Sequence, residues 1–229
     1  MTTTPAPQKK AVFTEIGLLF LATTLVLSVL YRFRSVPFVE GNLAVVAALA
    51  FLYLPAFLLW RRGQQLEDFG FHTRPLLKNL ALWLACSVVV LLPFALAYDY
   101  FVNHFCGDFL RRWVVCPTPF SRSLRLPPKL PLVLLSQLLV VALPEEFFFR
   151  GFAQQRFAEI MSWRQALLCQ ALLFALGHFL VTFSPASLLV FFPGLVFGWL
   201  RQVSGSIFAG TLFHATCNLT MEVLRRSLG

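Results

Sequence analysis

Apolar residues occupy this chain in blocks, not in alternation. Seven blocks stand out, at about 12–31, 42–60, 76–98, 131–149, 163–181, 185–201 and 205–224. Each approaches the roughly 20 residues that a helix needs to cross a bilayer. Backbone groups in hydrocarbon must find partners inside the segment or in a closed barrel, and no barrel-type alternation is present. The pattern therefore predicts an all-α polytopic membrane protein, with about seven transmembrane helices in one bundle. Ser184-Pro185 and Ser204-Gly205 read as tight turns, so helices five, six and seven should be antiparallel neighbours. The first run, AVFTEIGLLFLATTLVLSVLY, is too long for a signal-peptide core and lacks a small-residue cleavage site, which predicts an uncleaved first span.

Composition agrees with the pattern. The chain is 58% hydrophobic and 13% charged, against about 45–50% and roughly a quarter in soluble domains. A net charge of +9 would by itself suggest nucleic acid. The lysines and arginines instead flank the apolar blocks, where they meet headgroups and anionic lipid. The bilayer is thus an expected partner and nucleic acid is not. The longest non-apolar stretch runs from Asp99 to Lys129, and its PTPF and LPPK motifs oppose a long helix. It reads either as a solvated loop or as a loop carrying an interfacial segment near 100–115. Five cysteines show no metal-binding spacing. Cys86, Cys169 and Cys217 read as buried free thiols, while Cys106 and Cys116 share the polar loop and could pair in an oxidising compartment.

Orientation is not decided by charge. With the N-terminus inside, the inner side carries Lys9, Lys10, Arg61, Arg62, Arg74, Lys78, Arg150, Arg156, Arg164 and Arg201, ten in all. The outer side carries Arg32, Arg34, Arg111, Arg112, Arg122, Arg125, Lys129, Arg225 and Arg226, which is nine. The early loops lean toward an inner N-terminus.

Polar side chains inside the blocks are few: Gln137, Glu145, Glu146, Arg150, Gln170, His178, His214 and Asn218, with Glu15 able to snorkel at the start of block one. Blocks one to three read as nearly bare. An ionisable group at membrane depth is a functional-site hypothesis by default. Glu146 and Arg150 are four apart on one helix face and invite an ion pair. Glu145 points about 100° away on an ideal helix, so the two carboxylates should have different neighbours and different tasks. In block seven Ser206, Gly210, His214 and Asn218 form one stripe, small and then polar, against which a neighbouring helix can lie closely. In block five Phe174 and His178 share a face beside Gly177, and Gly194 and Gly198 in block six suit close helix packing.

A carboxylate and an imidazole can together remove a proton from water. A second histidine and an asparagine amide can stabilise an oxyanion. That equipment fits hydrolysis of an amide by activated water, and no GxSxG element or serine-lysine pair offers a nucleophile instead. The competing class is a non-catalytic membrane protein (an immunity protein, scaffold or small transporter) that uses the polar cluster for binding. A transporter needs a polar route across both leaflets, whereas these groups gather in blocks four, five and seven.

PEEFFFRG, FALGH and HATCN, the last led by SGSIFAGTLFH, resemble the EExxxR, FxxxH and HxxxN motifs of the CAAX-protease and bacteriocin-processing family of glutamic-type intramembrane endopeptidases. The resemblance covers residues 131–224. It implies that Glu145 and His178 activate water, that His214 and Asn218 form the oxyanion hole, and that Glu146 and Arg150 hold the site together. Within one membrane domain, it marks 1–130 as N-terminal helices with the basic loop and 131–224 as the catalytic core. Some members carry a metalloprotease label, for which Glu145, His178 and His214 would be the zinc ligands. There is no HExxH, and no cofactor is the favoured expectation. The substrate expected is a membrane-embedded or lipid-modified protein or peptide. The reaction would trim prenyl-type tails or remove C-terminal sorting tags, similar to the proteases called myxosortases. The compact size suggests a bacterial inner-membrane protein.

Overall fold

A computed structural model of the chain describes residues 8–105 and 125–228. The Cys106–Cys116 pair and the part of the expected interfacial segment beyond residue 105 lie outside these residues. Seven long helices fill the rest. α1 is Lys9–Arg32 and α2 is Pro37–Arg61. α3 runs Leu76–Cys86, passes through a wide π turn at Ser87–Leu91 and continues as Leu92–Phe105. α4 is Leu130–Ala158, α5 is Trp163–Thr182, α6 is Pro185–Ser204 and α7 is Phe208–Leu228. α1 to α6 are each long and apolar enough to cross a membrane. α7 has the length, but His214, Asn218, Glu222, Arg225 and Arg226 make it less apolar.

Local chemistry explains the boundaries. Pro37 opens α2, where its missing N–H costs nothing. Ser162 and Gln165 form a capping box at the start of α5. Gly205 ends α6 at φ 76, a left-handed turn that glycine adopts without strain.

The ends of the helices show an up-and-down arrangement. Near the start of α1, Glu15 does not snorkel; it pairs with Arg62 just after α2 at 2.7 Å and with Arg156 near the end of α4 at 3.1 Å. Lys78 near the start of α3 donates to the carbonyl of Val203, near the end of α6, at 2.6 Å. At the opposite end of the bundle Arg32, closing α1, lies 4.5 Å above the ring of Phe183, just beyond α5. There too the Arg125 N–H donates to the Ser227 hydroxyl at 3.0 Å.

α4 is the central helix, and residues 146–154 are buried on every side. Its phenylalanines divide between two cores. Phe148 and Phe149 pack with Phe20, Phe51, Phe174, Phe197 and Phe213, while Phe147 and Phe152 pack with Val12, Ile16, Leu59 and Phe69. In lipid no hydrophobic force separates helices from their solvent, so such contact packing carries the association. Three expectations change. Arg150 is fully buried in the bundle and belongs to neither face, which makes the basic count nine against nine after ten loses one. Block four does not end near 149, because the helix continues to Ala158. The first three helices are not bare, since Thr23, Thr24, Ser28 and Asn79 are buried there.

Candidate active site

The two glutamates sit on Leu143–Glu146, a single α turn of α4 between π segments at Gln137–Ala142 and Phe147–Ala153. Pro144 lacks an N–H and its ring crowds the preceding turn, so the helix must adjust its register here. Such bulges recur at functional sites because they re-aim side chains.

Glu146 and Arg150 form the expected ion pair at 2.9 Å, and both side chains are fully buried. Such a pair persists only if its remaining polar atoms are also satisfied. α6 meets part of this need with bare backbone, while Glu146 Oε2 and Arg150 Nε have no hydrogen-bond partner among the described residues. The carbonyl of Gly194 accepts from Arg150 Nη2 at 3.3 Å and from Gln170 Nε2 at 2.9 Å. One turn on, the carbonyl of Gly198 accepts from Gln154 Nε2 at 3.0 Å. A Cβ at Gly198 would fall 2.3 Å from Gln170 Nε2, so a larger residue would force Gln170 to shift. The Arg150 guanidinium also lies 4.2 Å from the ring centre of Phe174 and 4.9 Å from that of Phe197, both favourable faces for a cation.

The stripe on α7 meets the same region through Gly210, His214 and Asn218. Ser206 precedes the helix and donates to the carbonyls of Gly70 and His72. A Cβ at Gly210 would fall 2.9 Å from Glu146 Oε2, so glycine admits the carboxylate. His214 Nδ1 lies 2.9 Å from Glu146 Oε1, and Asn218 Nδ2 donates to Gln137 Oε1 at 2.9 Å. A carboxylate that faces Arg150 only accepts, so Nδ1 of His214 carries the proton. Its Nε2 is then directed to Glu145, whose Oε2 is 3.8 Å away. The imidazole is held flat against Phe197, with centroids 4.7 Å apart and planes inclined by 17°.

Glu145 differs from its neighbour. Each has a buried Oε2 with no hydrogen-bond partner among the described residues, but Glu145 lines a cavity of about 240 Å³ together with His178. His178 Nδ1 donates to the carbonyl of Phe174 at 3.0 Å, which leaves Nε2 free of that bond. Its ring meets the Phe174 ring edge-on at 4.5 Å.

The structure thus brings Glu145, Glu146, Arg150 and His214 into contact, and His178 joins Glu145 across the cavity. Asn218 lies one turn beyond His214, engaged with Gln137. The expectation of separate neighbours for the two carboxylates is only half met, because His214 touches both. Sequence reasoning missed Gln154, Phe197 and Thr24. Gln154 was open to discovery, since it continues the four-residue stripe of Glu146 and Arg150. For zinc, no group of three or more His, Cys, Asp or Glu is arranged to hold a metal ion among the described residues. The set Glu145, His178 and His214 does not fit a zinc centre in this arrangement.

An all-α multi-pass membrane protein with a buried Glu–Arg–His cluster beside a cavity is the class that fold and site define. Residues 127–220 match the family described as Type II CAAX prenyl endopeptidase Rce1-like, which is similar to the family whose motifs the chain resembles. The match begins just before α4 and ends within α7, leaving α1 to α3 outside it. No curated protein and no solved structure matches the chain. The matched family is one of proteases, which implies a peptide substrate and a lipid surrounding.

Proposed function

We propose that this protein is an intramembrane endopeptidase that hydrolyses a peptide bond of a membrane-associated protein with water activated by Glu145 and His178. The observation that carries the reading is that Glu145 and His178 line one cavity. Glu145 takes a proton from a water oriented by His178 Nε2, and the oxygen attacks the carbonyl carbon. The carbonyl becomes an oxyanion that accepts from His214 Nε2–H and from the Asn218 amide. His214 can donate there only as the imidazolium, since Nδ1–H is already given to Glu146. Collapse of the intermediate breaks the C–N bond, and Glu145 returns its proton to the leaving amine. Glu146 and Arg150 keep His214 in place, and no cofactor is required by this sequence of steps. The substrates that suit it are C-terminal sorting tags or prenyl-type tails in a bacterial inner membrane.

The test is comparative proteomics of membrane-protein C-termini in cells carrying the wild type, Glu145→Ala or His178→Ala, with protein level monitored. Products should vanish in both variants while the protein accumulates. Retained processing in both would remove the proteolytic reading and leave a binding protein.

A further inference from the structure

The cavity at Glu145 is not built by the catalytic helices alone. α4 and α5 contribute Glu145, Phe149, Gly177 and His178, but Thr24, Leu27 and Tyr31 of α1 and Ala44, Ala47 and Phe51 of α2 form much of the rest. Those six residues lie outside the family match, which starts at residue 127. We propose that this α1–α2 wall is a specificity pocket, which receives one apolar substrate side chain next to the scissile bond and sets its size through Ala44 and Ala47. The inference rests on the proteolytic reading above and deepens it.

The spacing is that of two helix faces turned on one space. Thr24, Leu27 and Tyr31 recur at three and four residues, and Ala47 and Phe51 at four. The volume of about 240 Å³ falls below the roughly 300–1,000 Å³ of pockets that enclose drug-sized ligands. It has room for a side chain with the attacking water, not for a long stretch of peptide. Its surroundings are apolar apart from the catalytic pair and a few hydroxyls, so an apolar side chain is what it favours. A charged one would lose its hydration without finding a partner.

The pocket is also rigid enough to discriminate. Phe51 packs on Phe148 at 5.0 Å and on Phe149 at 5.4 Å between ring centres. α1 approaches α5 so closely that a Cβ at Gly177 would lie 3.1 Å from the Phe20 ring. Arg32, one residue past Tyr31, is held on the Ser28 carbonyl at 2.9 Å and over Phe183. In a fixed wall the small alanines leave the space, and a larger residue there removes it.

The test uses purified protein in liposomes with a library of membrane-anchored peptides randomised at the residues flanking the cleaved bond, read by mass spectrometry. The wild type should prefer Leu, Phe or Met at one flanking position. Ala47→Leu should reduce cleavage of those peptides at least tenfold relative to peptides with Ala or Val there, and Ala44→Leu should shift the preference in the same direction. Thermal melting of each variant separates a lost fold from an altered preference, and Ala44→Leu, at an exposed position, supplies the answer if Ala47→Leu fails to fold. Cleavage by the wild type with an unchanged size preference in the folded variants overturns the pocket alone. Absence of cleavage by the wild type, equal to Glu145→Ala, overturns the proteolytic reading and this inference with it.

Discussion

Replacing one member of the Glu146–Arg150 pair tests whether the pair braces the site. Both side chains are fully buried and 2.9 Å apart, so neutralising one leaves the other charged without its counter-ion. Removing one partner of a buried pair costs about 3–5 kcal/mol. Glu146→Gln should fall near the lower end, because its amide oxygen can still accept from Arg150. Arg150→Met should be comparable, but the Gly194 carbonyl is not orphaned, since Gln170 still donates to it at 2.9 Å. His214 Nδ1 also stays on Glu146 Oε1 as a second donor. If the pair acts as one unit, the double variant costs less than the sum of the singles, by about 1–3 kcal/mol. Unfolding in mixed micelles, followed by the fluorescence of the five tryptophans, gives all four corners of the cycle. Additive single costs, or a Glu146→Gln variant of wild-type stability, would refute the reasoning. A Glu146→Gln protein that folds normally and is inactive would move Glu146 into the chemistry itself.

Three further outcomes follow from the same geometry. Gly210→Ala places a methyl 2.9 Å from Oε2 of the Glu146 carboxylate, whose Oε1 is held by Arg150 and His214; overpacking should cost about 1–3 kcal/mol in the same unfolding assay and slow cleavage. Asn218→Ala should lower kcat about 10²–10³-fold as an oxyanion donor; Gln137→Leu, which only frees the Asn218 amide, should lower kcat by a smaller factor with KM unchanged, and equal KM losses in both would contradict the assigned role. Glu15→Gln removes charge from a carboxylate shared by Arg62 and Arg156; a loss of about 1–3 kcal/mol is expected for hydrogen bonds to a charged group, with cleavage kinetics intact in the folded fraction.

Much of this was legible in the sequence because a bilayer simplifies the code. Apolar blocks and their lengths marked seven helices, and the four-residue spacing of Glu146 and Arg150 identified an ion pair that the structure contains. Of the stripe Ser206, Gly210, His214 and Asn218, the last three share one row of α7, whereas Ser206 precedes the helix and bonds Gly70 and His72 instead. Other features depended on contacts that no local pattern encodes. Glu145 and Glu146 diverge around α4, but His214 is placed between them by α7, a relation between residues far apart in the chain. Thr24 was passed over because a threonine in an apolar helix looks unremarkable until a cavity appears beside it. Gly194 and Gly198 read as packing residues; their carbonyls turn out to accept from Arg150, Gln154 and Gln170, which side-chain patterning cannot show.

The adjacency of two glutamates acquires a physical reason from depth. His178 stands four residues before the end of α5, about 6 Å of helical rise, and Tyr31 is next to last in α1. The cavity therefore lies toward an end of the bundle, and the proposed reaction needs water to reach Glu145 from there. Hydrolysis consumes water, and hydrocarbon offers none. Arg150 and Glu146 are fully enclosed instead, where fixed charges act without solvent screening. His214 joins the two environments, with Nδ1 on Glu146 and Nε2 toward Glu145. A wholly wet site would screen the brace, and a wholly dry one would lack its nucleophile. One step along a helix turns consecutive side chains by about 100°, which is enough to set one carboxylate in each environment on either side of a single imidazole.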